Sequence, residues 1–298
     1  MSEYDHRPRR TAAGGLRPLP PAWARRAFAP ERPDDHVKAI IESVAAVWPY
    51  GSRIEIPLGV VAAAVLLPLA DPQAESLAQR IAALEPGELL VVLRGTWAAL
   101  WGRQPYLVER AHPLFRWLAS VSEETGIAVA RVVQVALRAG VLEHGADPDR
   151  FLAADLLGRL QQRMTGRGEK SERGAFHTPD MAADHMAEGL AGSLVEGQLI
   201  GETAAGSGTM LRAVARHLRR RGVDPAAMRW QAVELSELSA ATLACNAMLW
   251  RLGDRVVIAC SDALAGDSGI GQAEAERDGC LAHRDAAVAY LGERDGGT

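Results

Sequence analysis

Lysine is nearly missing from this sequence: Lys38 and Lys170 are the only two among 33 basic residues, and the rest are arginine. Such a bias follows the base composition of a genome as readily as arginine chemistry, so it assigns no function. Cysteine is scarce too. Cys245, Cys260 and Cys280 are odd in number and form no C-x-x-C pair, which argues against a disulfide framework and a zinc knuckle and points to a reducing cytoplasm. Long apolar runs are absent. The longest, residues 56–70, is interrupted by Pro57 and Pro68 and falls short of the about 20 residues that cross a bilayer, so it is expected to be a buried helix with no membrane partner. Residues 1–33 carry arginine and proline without an apolar core, unlike a secretory signal. No strong net charge advertises a polyanion partner, since the total is only -4.

What is present is a chain of 298 residues, 48% hydrophobic, enough for two domains. Residues 1–34, rich in Pro, Gly and Arg, are expected to form a flexible arm. Residues 35–163 are expected to form an all-helical domain. Val37, Ile40, Ile41, Val44 and Val47 mark one buried helical face, and further helices are expected at 59–70, 75–84, 88–101, 113–120, 128–139 and 151–162. The tryptophans 97, 101 and 117 belong to its core. Residues 121–139 fit a helix-turn-helix outline, but the apolar face of the second helix favours packing over base reading. The polar stretch 163–173 reads as a hinge, with the second domain spanning 164–298.

Past the hinge the pattern alternates helix and strand. Thr178-Pro179-Asp180 reads as a helix start with Thr178 as N-cap, followed by Met181, Met186, Leu190 and Leu194 at inward spacing. Gln198-Leu199-Ile200 begin a strand, Gly201-Glu202-Thr203-Ala204-Ala205-Gly206-Ser207-Gly208-Thr209 make a glycine turn, and residues 210–218 repeat at helical spacing. Strands over 228–233 and 256–260, separated by a helix at 236–252, complete an α/β unit with a parallel sheet. Glu202, Glu234 and Asp262 then fall at three successive strand ends, which line one crevice in a doubly wound sheet.

The crevice lacks what a pyrophosphate needs. Leu211 stands where the third glycine of a dinucleotide fingerprint belongs, no Gly-Lys-Ser/Thr is present, and Glu202 beside the turn repels phosphate. S-adenosylmethionine suits these residues better, being free of phosphate, positively charged and furnished with ribose hydroxyls for a carboxylate.

The run Gly174-Ala175-Phe176-His177-Thr178-Pro179, the loop Glu202 to Gly208, Glu234 with Asn246-Ala247-Met248-Leu249 beyond it, and Ser261-Asp262-Ala263-Leu264 together resemble the N6-adenine-specific DNA methyltransferases of the type I restriction-modification modification-subunit kind. The resemblance covers about residues 165 to 264. It implies a partial Rossmann-like sheet, S-adenosylmethionine as cofactor and DNA as partner. Phe176, Thr178 and Pro179 would pack at the methionine end, although Thr178 and Pro179 equally serve as a helix cap. Glu202, Gly206, Ser207 and Gly208 would form the cradle, Glu234 would hold the ribose, and Asp262 the adenine amine. The sequence departs from the family at Glu202, Thr203 and His177, where aspartate, proline and tyrosine are usual.

The family presents its target base with an Asn/Asp/Ser-Pro-Pro-Tyr/Phe loop, which makes the exocyclic amine more nucleophilic after the base is flipped out. No such loop comes after Asp262: residues 263–298 contain no proline, and from Asp262 onward eight acids stand against three arginines. Pro20-Pro21 lies in the arm and lacks the flanking side chains. No catalytic residue is therefore assigned, and two readings stay open: a methyltransferase whose catalytic loop comes from a second polypeptide, or a non-catalytic cofactor-binding or DNA-associated module.

Overall fold

The computed structural model describes residues 32–48, 53–71, 73, 78–165, 178–265 and 268–295, with side chains up to residue 290. The expected arm, up to residue 31, lies outside them, as does Phe176. The chain is a mixed α/β structure: a helical layer and a three-stranded parallel sheet on one continuous core.

The helical layer surrounds α2 (Glu55–Ala70), which is apolar on every side and buried along most of its length. A helix without a polar face has no stable place at a surface, so its neighbours wrap it. These include α4 (Pro86–Trp101), α6 (Glu123–Arg138), α7 (Val141–Ala146) and α9 (Leu156–Met164). Gly145 lets α7 touch α2: a Cβ there would fall on the Val65 carbonyl. The first helix, α1 (Pro33–Val47), buries Val37, Ile40, Ile41 and Val44 as its spacing predicts. Between these lie the short α3 (Ala78–Ala82), α5 (Pro105–Arg110) and α8 (Pro148–Ala153). Trp97 and Trp117 are core residues and Trp101 is half-buried.

Three helical expectations change. The helix-turn-helix outline is one continuous helix, α6, because Ser122 accepts from the Thr125 N–H and caps it at the position expected to turn. The helix expected at 113–120 is two 3-10 turns, His112–Leu114 and Arg116–Ala119. The one expected at 151–162 is divided at Asp155, whose carboxylate accepts from the Gly158 N–H and starts α9 afresh.

The sheet has the order β1 (Leu199–Glu202), β2 (Arg229–Glu234), β3 (Val256–Cys260), all parallel. The crossovers are α11 (Thr209–Arg220) and α12 (Glu237–Leu249). Side chains alternate between faces. Ile200, Trp230, Ala232, Val256 and Ile258 join the main core under the helices, whereas Val233, Val257 and Ala259 meet Ala273 of α13 (Ile270–Asp295) on the other face. α13, which no sequence signal separated from a polar tail, covers β2 and β3 there and leaves Leu199 of β1 exposed.

Helix α10 (Asp180–Ala191) corrects a further expectation. Its buried residues are Ala183, Ala187 and Ala191, while Met181 is 84% exposed and Met186 and Leu190 also face outward. Only Leu194 of the expected apolar set is buried. The reason lies in α11. The ion pairs Asp180–Arg212 and Asp184–Arg216, and the bond from Arg221 to the Ala191 carbonyl, hold the two helices side by side, and alanine faces permit that closeness. The helix also starts one residue later than expected, with Pro179 at the N-cap and its carbonyl accepting from Ala182 and Ala183.

At the sheet's two edges the situation differs. The Tyr106 hydroxyl from α5 donates to the Ile258 carbonyl at 3.1 Å and accepts from the Ile258 N–H at 2.9 Å, so a side chain occupies the outer edge of β3. Among the described residues β1 pairs with β2 alone. No helix among them is long and apolar enough to cross a membrane.

Candidate functional site

The carboxyl ends of the three strands lie close together because parallel neighbours are about 4.8 Å apart. Glu202 is opposite Ala232 and Glu234 opposite Cys260, so β1 ends two residues below β2. The turn after β1 climbs the difference. The Ala205 N–H donates to the Val233 carbonyl at 3.0 Å, and the Gly206 N–H donates to Oε2 of Glu234 at 2.8 Å. The other oxygen of Glu234 accepts from the Ser236 N–H at 2.8 Å. Each of these half-buried carboxylate oxygens retains further acceptor capacity.

Gly206 and Gly208 both have positive φ, 55° and 97°. Their environments differ. A Cβ on Gly206 would meet nothing within 4 Å, so this glycine opens onto free space. One on Gly208 would strike Leu243 and Trp250, so Gly208 is required by packing against α12. Glu202 is half-buried and accepts from the Ala204 N–H at 3.2 Å, and the Asp262 carboxylate, exposed, accepts from the Leu264 N–H at 2.9 Å. Thr178 and Pro179 are exposed at the start of α10, the end that Asp180 and Arg212 hold beside the start of α11. Thr178, Pro179, Glu202, Gly206, Gly208, Glu234 and Asp262 thus share one end of the sheet.

Ser207 does not face that crevice. Its buried hydroxyl donates to Oδ2 of Asp155 at 3.3 Å, and its carbonyl accepts from Asn246 at 2.9 Å. Asn246 also donates to the other oxygen of Asp155 at 3.2 Å. A Cβ at Gly158 would fall on both the Asp155 carboxylate and the Ser207 hydroxyl, so glycine there leaves the room this cluster needs. Burial pushes the Asp155 carboxyl above its ordinary range, against Arg212, the Gly158 N–H and Asn246, which act the other way. Nearby, Arg212 is fully buried and donates to the Leu152 and Ala153 carbonyls and to Asp180. Burial works to raise Asp180, but Arg212 and Arg159 outweigh it and hold its carboxyl low. The helical layer therefore grips the glycine turn from below at Ser207, and the start of α10 from the side.

Sequence reasoning assigns no role to several crevice side chains. Leu235 and Leu264 are 72% and 94% exposed just past the ends of β2 and β3, beside Glu234 and Asp262. Cys260 is exposed at the end of β3, its thiol pushed up by burial and by the Glu237 and Glu234 carboxylates. Large apolar side chains close behind strand-end acids are the pattern that would have drawn attention to the leucines. The arrangement can accept several hydrogen bonds, attract a cation and offer apolar surface to a flat ring. No protein-family model matches the chain, and comparison with curated proteins finds none that is similar.

Proposed function

We propose that this chain is the S-adenosylmethionine-binding component of an N6-adenine DNA methyltransferase of restriction-modification type, built on part of a Rossmann-like sheet, and that a second polypeptide supplies the catalytic loop and target recognition. The observation that carries the reading is the convergence of Glu202, Glu234 and Asp262 at three adjacent strand ends around a glycine turn with open space over Gly206. The residues fit such a cofactor: carboxylates with acceptor capacity for hydroxyls and an amine, an acidic surround for a cation, and no fixed phosphate ligand.

When bound, S-adenosylmethionine supplies an electrophilic methyl group. Glu234 accepts from its ribose hydroxyls, and the bond from Gly206 ties that event to the turn. Asp262 accepts from the adenine amine, with Leu235 and Leu264 supplying apolar surface to the ring. Glu202 sits beside the cationic end with Thr178 and Pro179. The side of β1 left unpaired among the described residues supports the need for a partner. A fourth parallel strand has its place there and would bring its own carboxyl end, and the loop after it, to the same crevice.

The segment after β3 favours a second reading. It is a helix, α13, in a stretch without proline and with excess acid, unsuited to presenting a base or a DNA-facing lobe. On this reading the chain binds cofactor and transfers nothing. Calorimetric titration with S-adenosylmethionine is expected to show binding that weakens about tenfold or more in Glu234→Ala, the loss of one charge-assisted contact. No heat from the wild-type chain, or an unaltered affinity in the variant, removes the cofactor assignment. Transfer of labelled methyl to DNA by the chain alone overturns the requirement for a partner.

A further inference from the structure

The end of the sheet opposite the crevice gathers positive charge that nothing nearby fully neutralises. α11 finishes in His217, Arg219 and Arg220, and Arg221 comes next. Arg229 opens β2, while Arg251 and Arg255 lead into β3. Those at the end of α11 lie near Arg251 and Arg255, whereas Arg229, next to the inward Trp230, is on the α13 face of the sheet. Arg219 acts electrostatically on Arg251, Arg220 on Arg216, and both Arg216 and Arg220 on His217, while Arg255 donates to the Ala226 and Ala227 carbonyls in the connection from α11 to β2.

Neighbouring acids compensate part of it. Asp184 pairs with Arg216, Glu188 acts on His217 and lines one surface hollow with Arg220, and Asp224 acts on Arg251. No ion pair holds Arg219, Arg220, Arg229 or Arg251 among the described residues, whereas Arg110, Arg116, Arg159 and Arg212 elsewhere each have one. The Nε atoms of Arg219 and Arg251 are buried without a hydrogen-bond partner there. Part of this charge suits the carbonyl end of α11, since cations there complement the helix dipole. That accounts for one turn of one helix and not for Arg251, which belongs to another segment.

We propose that this arginine cluster, centred on Arg219, Arg220 and Arg251, is a docking face for the phosphodiester backbone of a nucleic acid. Guanidinium groups match phosphate oxygens in a planar fork and remain charged at any physiological pH. An acidic protein partner fits less well, because stable protein interfaces are anchored by buried apolar or aromatic side chains. Leu218, Met228, Trp230, Trp250 and Leu252 beneath these arginines are fully buried in the chain's own core, and the exposed apolar residues at this end, Val195 and Leu199, lie on the β1 side. The contact proposed is with the backbone, which fixes position and carries no sequence information. It is independent of the crevice and of any methyl donor, so it stands or falls separately from the function proposed above.

Fluorescence anisotropy of the full chain, without cofactor, against a labelled 20-base-pair DNA duplex (roughly two helical turns) and the corresponding RNA duplex tests the idea. Binding to at least one is expected, weakening with salt. The triple variant Arg219→Ala, Arg220→Ala, Arg251→Ala should bind about tenfold or more weakly, its salt slope reduced by about 1 for each phosphate contact removed. The corresponding triple lysine variant should retain most of the affinity, and Arg131→Ala with Arg138→Ala on α6 should leave it unchanged. The tighter of the two duplexes identifies the nucleic acid. Absence of binding to both, equal loss in the alanine and lysine variants, unchanged binding by the alanine variant, or tighter binding of polyglutamate than of either duplex would overturn the proposal.

Discussion

His144 is fully buried on α7, neither ring nitrogen has a hydrogen-bond partner among the described residues, and the His36 ring stands edge-on to it at 5.8 Å. Burial, followed by the charges of His36 and Arg150, holds its pKa down at about 3. An unfolded chain binds a proton at this position near the ordinary histidine value and the folded chain does not. Its contribution to stability is therefore present above about pH 6.5 and is lost as pH falls toward 3, with a slope of about 1.4 kcal/mol per pH unit from this one group. Urea denaturation of wild type and His144→Leu between about pH 5 and pH 7 should show the wild type losing stability faster on acidification. Nothing in the run Val141-Leu142-Glu143-His144 distinguishes this histidine from a solvated one, because its burial is made by α2, far away in sequence. Glu202, Glu234 and Asp262 are legible for the opposite reason: an acid at the end of an apolar run is a local pattern, and strand ends in a parallel sheet converge by topology alone. Ser207 illustrates the limit. Its place in the turn is readable, but the direction of its hydroxyl is decided by Asp155, 52 residues earlier.

Among elements, the sequence marks best those whose neighbours are ordinary. β3 and the buried α2 arise directly from β-branched density and apolar surround, and α12 begins at Glu237 with Ser236 as its cap, within a residue of expectation. The inward face of α10 is misjudged from sequence because methionine and leucine outrank alanine in any periodicity count. The bridges to α11 select the small side chains instead. α5 holds the least conspicuous device, since a tyrosine in a six-residue helix serves a backbone edge 152 residues away. Tyr106→Phe should leave the Ile258 N–H and carbonyl without that partner and cost about 1–3 kcal/mol. Amide exchange at Ile258 should accelerate more than at Val257, which faces β2. Equal acceleration at both would show that the hydroxyl supports the fold in general and not this edge.

At the scale of the whole molecule, the helical layer and the sheet are joined through polar groups as well as core. Asp155 gathers Gly158, Ser207 and Asn246 onto one buried carboxylate, so the turn that frames the crevice is fixed by a residue of the helical layer. Asp155→Ala strands these donors and is expected to lower unfolding free energy by about 1–3 kcal/mol or more. Limited proteolysis should then cut within the glycine turn sooner than in wild type. A variant that loses stability with no change in cleavage there would show that Asp155 serves α9 alone. Asp155 also explains why the site is only partly legible: hydrogen bonds that span the two layers leave no period in the sequence.

The tyrosine at the edge of β3 gives the sheet a direction of growth. A filament of identical chains joined strand to strand would need the β1 edge of one copy against the β3 edge of the next, and a hydroxyl already fills the second position. Endless head-to-tail addition is thereby blocked, leaving closed pairing of β1 with β1 across a twofold axis or capture of a single foreign strand.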